Sequence, residues 1–344
     1  MNWIEKNIRR VSVARMVLAV VVIAVIVLAL AANARYFRNF FKGPYAITPA
    51  ELAAAPSADA LPRYWVSLKA DQLVESGFQE ITIHKKRGVE RSREVSANYF
   101  VAVIGDRLLL VKAHQDMPTA ALNGTLKPIA GKADLGFFNS PQVQKHRARF
   151  YPMMLDTENF KSNGEFGLAV AALLGIGALV YGLIALRRFR DPAQHPVMKR
   201  VAEWADSVEM SKLLEKEATE RNGLKFGGHL FTANFVVREG MLNFDVQRLD
   251  ETLWTYKHVL QKKIYYIIPA GKTFSVCLNW MGASWQISGK EANIDSVLQY
   301  LAERYPWMLC GYSDELASAY KKNRGEVAGV VFNRRKEALA GVNA

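Results

Sequence analysis

Cysteine is nearly absent from this 344-residue chain: Cys277 and Cys310 are its only two, and nothing before them can form a disulfide. A middle domain stapled by disulfides is therefore excluded, and the two thiols fit a C-terminal domain kept in a reducing compartment. Neither has a His or a further Cys nearby at metal-ligand spacing. The six histidines, His84, His114, His146, His195, His229 and His258, never recur at i, i+3 or i+4, which removes the paired-histidine zinc arrangement. Also missing are a Gly-Lys-Ser/Thr phosphate loop, a Gly-x-Ser-x-Gly elbow, His-Glu-x-x-His and the kinase motif set. With no site to build on, the sequence predicts a protein that is not an enzyme and carries no cofactor or metal.

Long polar tails are missing as well. The formal charge of +13 divides as +3 over residues 1–32, +5 over 33–165 and +5 over 166–344. So even a spread describes solvated surface and membrane-flanking anchors rather than a nucleic-acid stripe, and no nucleic-acid partner is expected. Anionic lipid is the partner that this charge favours.

What the chain does have is two long apolar runs. Met16 to Ala32 is seventeen residues without a polar side chain, and Phe166 to Leu186 is twenty-one without a charge, closed by Arg187, Arg188 and Arg190. Each is long enough to cross a bilayer, so the spans are placed at 16–34 and 166–186. A cleaved signal competes for the first, because Lys6, Arg9, Arg10 and Arg15 form a charged leader and Ala32-Asn33-Ala34 has the small-x-small form. In the second, Ala171, Gly175, Ala178, Gly182 and Ala185 alternate steps of four and three and share one helical face. That face receives either the large side chains of the first span or a protein partner, including a second copy.

Basic residues before the first run and after the second outnumber Arg35, Arg38 and Lys42 on the far side. This predicts a multi-pass protein of a bacterial inner membrane with both termini cytoplasmic: 1–15 inside, 35–165 outside, 187–344 inside. The segment Tyr36 to Lys42 mixes aromatic and basic residues as an interfacial anchor does, and 49–62 reads as a linker or short surface helix. Between about 63 and 130, period-two runs at 64–69, 78–84, 98–104, 108–112 and 125–129 predict a small five-stranded barrel, OB-like, or a sandwich. The densest basic stretch lies there, in a predicted hairpin loop carrying Lys85, Lys86, Arg87, Arg91 and Arg93. It is a candidate contact for an anion or an external partner, against the plainer reading of a solvated loop balanced by Glu90 and Glu94.

After the second run, residues 196–221 predict one amphipathic helix, followed by strands at 230–238, 241–245, 253–259, 263–268, 273–280 and 284–288 and a helix over 290–305 stopped by Pro306. Phe235-Val236-Val237-Arg238-Glu239-Gly240, Leu253-Trp254-Thr255-Tyr256-Lys257, Arg304-Tyr305-Pro306 and Pro306-Trp307 with Gly311-Tyr312-Ser313-Asp314-Glu315-Leu316 resemble an uncharacterised bacterial two-span membrane family with a pleckstrin-homology-like C-terminal domain. The resemblance covers roughly 225–320 and implies an α+β domain, with a barrel over about 225–306 and a helical tail. For lipid-binding members it implies paired basic residues in the first hairpin; 230–237 has none and only Arg238 follows. Lys257, Lys262, Lys263 and Lys272 are the alternative cluster for anion or lipid contact. The leading expectation is a non-enzymatic scaffold or adaptor with a binding domain on each side of the membrane; the alternatives are a headgroup-binding protein at the cytoplasmic leaflet and an envelope hydrolase.

Overall fold

The computed structural model describes residues 2–113, 120–129, 136–204, 207–220, 223–264 and 268–340. Its contacts divide into two units, one made of Met1–Val20 with Leu179–Ala344 and the other of Val21–Ala178.

Both apolar runs are single helices. Helix α1 covers Trp3–Ala32 and is 30 residues long. Each such helix is about 45 Å in length at 1.5 Å per residue, more than the roughly 30 Å of a bilayer's hydrocarbon. Outward positions stay apolar and open, as at Val20 (66% exposed) and Leu28 (67%). Side chains of this kind are compatible with a bilayer around them, and the two helices are candidate membrane spans by length and composition.

In the middle unit, α1 gives way to α2 (Ala34–Lys42), the short β1 (Tyr45–Ala46), α3 (Pro49–Ala54) and then β2 (Trp65–Lys69), β3 (Gln72–Lys86), β4 (Val89–Ile104), β5 (Arg107–Ala113) and β6 (Ala121–Pro128). A four-residue helix α4 (Pro141–Gln144) precedes β7 (Phe150–Asp156), which hands over to α5 (Phe160–Arg190), 31 residues long. The strands form one open mixed sheet in the order β1-β2-β6-β7-β5-β4-β3. This corrects the expected five-stranded barrel or sandwich: the sheet has seven strands and does not close. Strand β7 was not anticipated; it runs parallel to β5 and antiparallel to β6 and fills the centre of the sheet. Alternation works as period two requires. Phe100, Ala102, Leu109 and Val111 face one core with Leu52, Leu122, Met153 and Leu155, while Tyr99 and Leu110 face a second with Phe137, Phe138 and Met154.

In the other unit, the single helix expected over 196–221 is two, α6 (Pro196–Glu203) and α7 (Ser207–Thr219). Strands β8 (Leu224–Phe226), β9 (His229–Phe231), β10 (Phe235–Glu239) and β11 (Phe244–Arg248) make one antiparallel sheet, ordered β11-β10-β9-β8. Strands β12 (Trp254–Ile264), β13 (Ile268–Asn279) and β14 (Ser284–Gly289), with β15 (Leu309–Cys310), make a second, ordered β14-β13-β12-β15. Helices α8 (Glu291–Arg304), α9 (Asp314–Lys322) and α10 (Arg324–Ala340) complete the chain. The expected strand over 263–268 crosses 265–267, which lie outside the described residues. One core joins the two sheets and α8, through Phe226, Phe231 and Val236 from the first, Val276, Leu278 and Ile287 from the second, and Ile294, Val297 and Leu301 from the helix. Neither sheet is closed into a barrel.

The first turns of α1 are part of this unit. Ile4 and Ile8 are fully buried and Val11 nearly so, in one cluster with Val197, Val201, Trp204, Leu214, Phe235, Val237, Phe244 and Val246. Trp3 meets the Phe244 ring edge-on at 5.6 Å. At about 1.5–3 kcal/mol for each fully buried aliphatic side chain, the N-terminal segment contributes substantially to the domain that closes the chain more than 180 residues later.

Candidate functional site

The surfaces that the sequence singles out are built on the two apolar helices, on a long hairpin of the middle sheet and on the β12–β13 hairpin.

On α5, Ala185 is buried and Ala171, Gly175, Ala178 and Gly182 are half-covered, whereas Leu173 (73% exposed) and Phe166 (72%) are open. A Cβ added at Gly182 comes 3.2 Å from the Ala19 Cβ, and one at Gly175 comes 3.9 Å from Ile26 Cδ1. The small stripe is therefore occupied by α1. On α1 the covered positions Ser12, Arg15, Ala19, Val22 and Ile26 recur by the same steps of three and four, the spacing of a left-handed pair of helices.

Where these helices leave the apolar zone, the middle unit builds an aromatic collar. Tyr36 donates to the Phe160 carbonyl oxygen at 2.8 Å, and Trp65 stacks on Phe160 with centroids 4.9 Å apart. Gly164 lets the Phe40 and Tyr36 side chains approach α5; a Cβ there would fall 2.6 Å from the Phe40 ring. Asn39, fully buried, ties α2 to β2: its Nδ2 donates to the Arg35 and Pro62 carbonyls, and its Oδ1 accepts from the Tyr64 and Trp65 N–H groups. Aromatic rings of this kind gather at the membrane–water boundary.

The basic stretch forms the far end of the β3–β4 hairpin. Arg87 (φ 54°) and Gly88 (φ 82°) make a two-residue turn of the left-handed kind that tight hairpins need. Lys85, Lys86, Arg87, Arg91 and Arg93 are all exposed there. Arg93 pairs with Glu90 at 3.2 Å and His84 meets Glu94 at 3.0 Å, while Lys85, Lys86, Arg87 and Arg91 make no ion pair among the described residues. The root of the hairpin is fixed. Lys112 Nζ reaches Glu80 at 2.7 Å and the Tyr99 hydroxyl donates to the same carboxylate at 3.3 Å. Burial, reinforced by that carboxylate, pushes the Tyr99 phenol up to about 12.

The C-terminal lysine cluster is only partly a surface. Lys257 is engaged by α8, with Nζ 2.7 Å from Glu291 and 2.9 Å from Asp295, and it lies over the Phe274 ring. Its hydrogen bonds to Glu291 and then Asp295 hold its pKa above the ordinary lysine value. Lys272 is exposed opposite Gln261 in the hairpin. The side chains of Lys262 and Lys263 lie outside the described residues.

Two features went unread in the sequence. A cleft of about 500 Å³ is lined by Arg200, Glu203, Trp204, Gln247, Glu251 and Trp280. Ion pairs stand beside it: Arg200 of the lining holds Asp245 at 2.6 Å, and in the segment leading to Glu251, Asp250 accepts from both Arg248 (2.6 Å) and Arg335 (2.9 Å). Burial raises the Glu251 carboxyl above its usual range, opposed by Arg248 at 3.4 Å. The second feature is His195, buried as the cap of α6, whose Nδ1 accepts the Val197 N–H at 3.2 Å. Burial first, then Arg188, Arg15 and Arg200, depress it to about 4. Neither position carries a motif, because each depends on residues brought together from distant segments. No group of three or more metal-ligating side chains occurs among the described residues. Comparison with protein-family models, curated proteins and solved structures finds no match.

Proposed function

We propose that this chain is a membrane-anchored scaffold or adaptor of a bacterial inner membrane, with both termini cytoplasmic and a binding domain on each side. The observation that carries the proposal is the burial of Ile4, Ile8 and Val11 in the core that holds α6 and β10. The segment before the first apolar run and the domain after the second thereby belong to one folded body, so both lie on one side of the bilayer and residues 34–159 on the other. Cleavage after Ala34 would remove three buried residues from that core, which favours a retained span over a signal. The excess of Lys and Arg at the ends favours the cytoplasm for that body.

A domain held by two helices, each running unbroken into folded structure, presents its surfaces at a fixed height above the membrane. That suits docking more than diffusion. Two four-stranded sheets followed by α8 are consistent with the pleckstrin-homology-like arrangement that the resemblance implies, and members of such a fold serve as docking modules as well as lipid binders. Headgroup binding through the lysine cluster is the weaker reading, because Lys257 is already satisfied by Glu291 and Asp295. Purification of the full-length protein from crosslinked cells, followed by mass spectrometry, tests the adaptor. Reproducible protein partners are expected; recovery of phospholipid alone would transfer the assignment to lipid binding.

A further inference from the structure

We infer that Arg15 and Arg188 form a binding site for the phosphate of an anionic phospholipid, at the end of α1 and α5 that adjoins the C-terminal domain. The inference rests on the spanning reading of those two helices and is independent of what the adaptor docks.

Helix register brings the two arginines to one level. The helices run antiparallel, with Gly182 against Ala19 and Arg9 over the Phe189 ring at 5.6 Å. Arg15 stands four residues before Ala19 and Arg188 six after Gly182, which at 1.5 Å per residue is about 6 Å and about 9 Å beyond that contact. The apolar runs stop at the same place. Arg15 is the last residue before Met16–Ala32, and Arg188 is the second after Phe166–Leu186. Both side chains are half-buried, and Arg15 lies over the Tyr181 ring at 5.7 Å.

Nothing in the protein neutralises this pair. Each guanidinium acts on the other, and both act on the buried His195. Neither makes an ion pair among the described residues, and residues 1–20 with 179–190 hold seven Lys and Arg against one acid, Glu5. Like charges at the edge of a bilayer, where water screens them little, repel one another, and an anion between them offsets the repulsion. The donors are ready for one. Arg15 is held in place through Nε on the Leu242 carbonyl at 2.8 Å and Nη2 on Asn243 Oδ1 at 3.4 Å, which leaves Nη1 unused. Arg188 makes no hydrogen bond among the described residues. Planar guanidinium forks of this kind recognise phosphate oxygens in pairs.

The surroundings favour a lipid as the source of the phosphate. One and two turns back along α5 from Arg188, on the same face, stand Ile184 and Tyr181, and three residues on from Arg15 stands Leu18; all three are exposed. They give acyl chains an apolar track directly below the phosphate, which a soluble phosphate does not use. An anionic headgroup suits the site better than phosphatidylcholine, whose own ammonium would be brought to two guanidiniums.

The test titrates phosphatidylglycerol or phosphatidylcholine into the full-length protein in detergent and counts bound lipid by native mass spectrometry. One phosphatidylglycerol is expected to bind about tenfold more tightly than phosphatidylcholine. Arg188→Gln should weaken it about tenfold, whereas Arg190→Gln, at an exposed position two residues on, should change it about twofold at most. Arg188→Lys keeps the charge without the fork and should fall between them; it carries the comparison if Arg188→Gln does not fold. Equal losses at 188 and 190 would overturn the site in favour of diffuse surface charge, and equal affinity for the two lipids would overturn it outright. Displacement of the lipid by an equal concentration of inorganic phosphate would overturn the lipid assignment and leave a site for soluble phosphate. A Leu174→Cys fluorophore, in a Cys310→Ser background in nanodiscs, reports the span separately. That label in water overturns the spanning reading and the site with it; that label in lipid, with no preference for phosphatidylglycerol, overturns the site alone.

Discussion

Arg15, at the foot of the first apolar run, donates through Nε to the backbone carbonyl of Leu242 at 2.8 Å, in the turn between β10 and β11. A residue that reads as the charged leader of a signal or span is thus a structural tie to a strand turn 227 positions away. It places the start of α1 and the C-terminal domain in one folded body, and the experiments that follow probe the consequences.

Truncating Ile8 should weaken the C-terminal domain although that domain lies beyond the second apolar run. Ile8→Ala removes a fully buried side chain and is expected to cost about 2–5 kcal/mol. Thermal unfolding in detergent, followed by near-ultraviolet circular dichroism of the tryptophans, should show a lower Tm. An unchanged Tm would mean that the first turns of α1 are not in this core.

Acid should destabilise the same domain through His195. Its folded pKa of about 4 lies below the unfolded value near 6.5, so the unfolded state binds the proton first. The stabilising contribution is complete above pH 6.5, falls as the pH drops through that window and is gone below about 4. Its size is at most about 3 kcal/mol. His195→Asn, which keeps a side-chain cap without titrating, should flatten the pH dependence of stability between 6.5 and 4; a slope equal to the wild type would assign it to other groups.

At Asn39 the expected loss is local to the middle unit. Asn39→Ala leaves the Tyr64 and Trp65 N–H groups without their acceptor, at a cost of about 2–4 kcal/mol. Limited proteolysis of the reconstituted protein should then cut between residues 43 and 65 at rates that the wild type resists.

Between the two apolar helices, tolerance should depend on position along the stripe. Gly175→Ala meets its nearest neighbour at 3.9 Å and is expected to be neutral, whereas Gly182→Leu must displace Ala19, already 3.2 Å from an added Cβ. Purified Gly182→Leu should lose thermal stability, and equal behaviour of the two variants would argue against this pairing.

The sequence made some of this legible and hid the rest for physical reasons. Length and hydropathy located both apolar runs, and the four-and-three spacing of small residues marked the covered face of α5. Period-two alternation found the strands from 64 to 129 but stopped the hairpin short, because an arm exposed on both faces has no buried side to alternate with: β3 runs over Gln72–Lys86 where 78–84 was expected. Strand β7 was missed because Pro152 interrupts a continuously apolar run, the pattern of a strand buried on both faces. Gly124 was a clue to it: it is mid-strand in β6, where a Cβ would fall 2.6 Å from the Asp156 carbonyl oxygen, so the glycine admits β7. The core shared by Ile8 and Val237 could not be read at all, since no local pattern reports a contact across more than 200 residues.

Sidedness of two thiols tests the central claim most directly. Cys310 is exposed in the C-terminal unit and Ser92 in the β3–β4 hairpin, while Cys277 is buried. In cells making the Ser92→Cys protein, a membrane-impermeant maleimide should label residue 92 from outside and reach Cys310 only after the inner membrane is permeabilised. Labelling of both positions from the same side would contradict the proposed topology, in which both termini are cytoplasmic and residues 34–159 are outside.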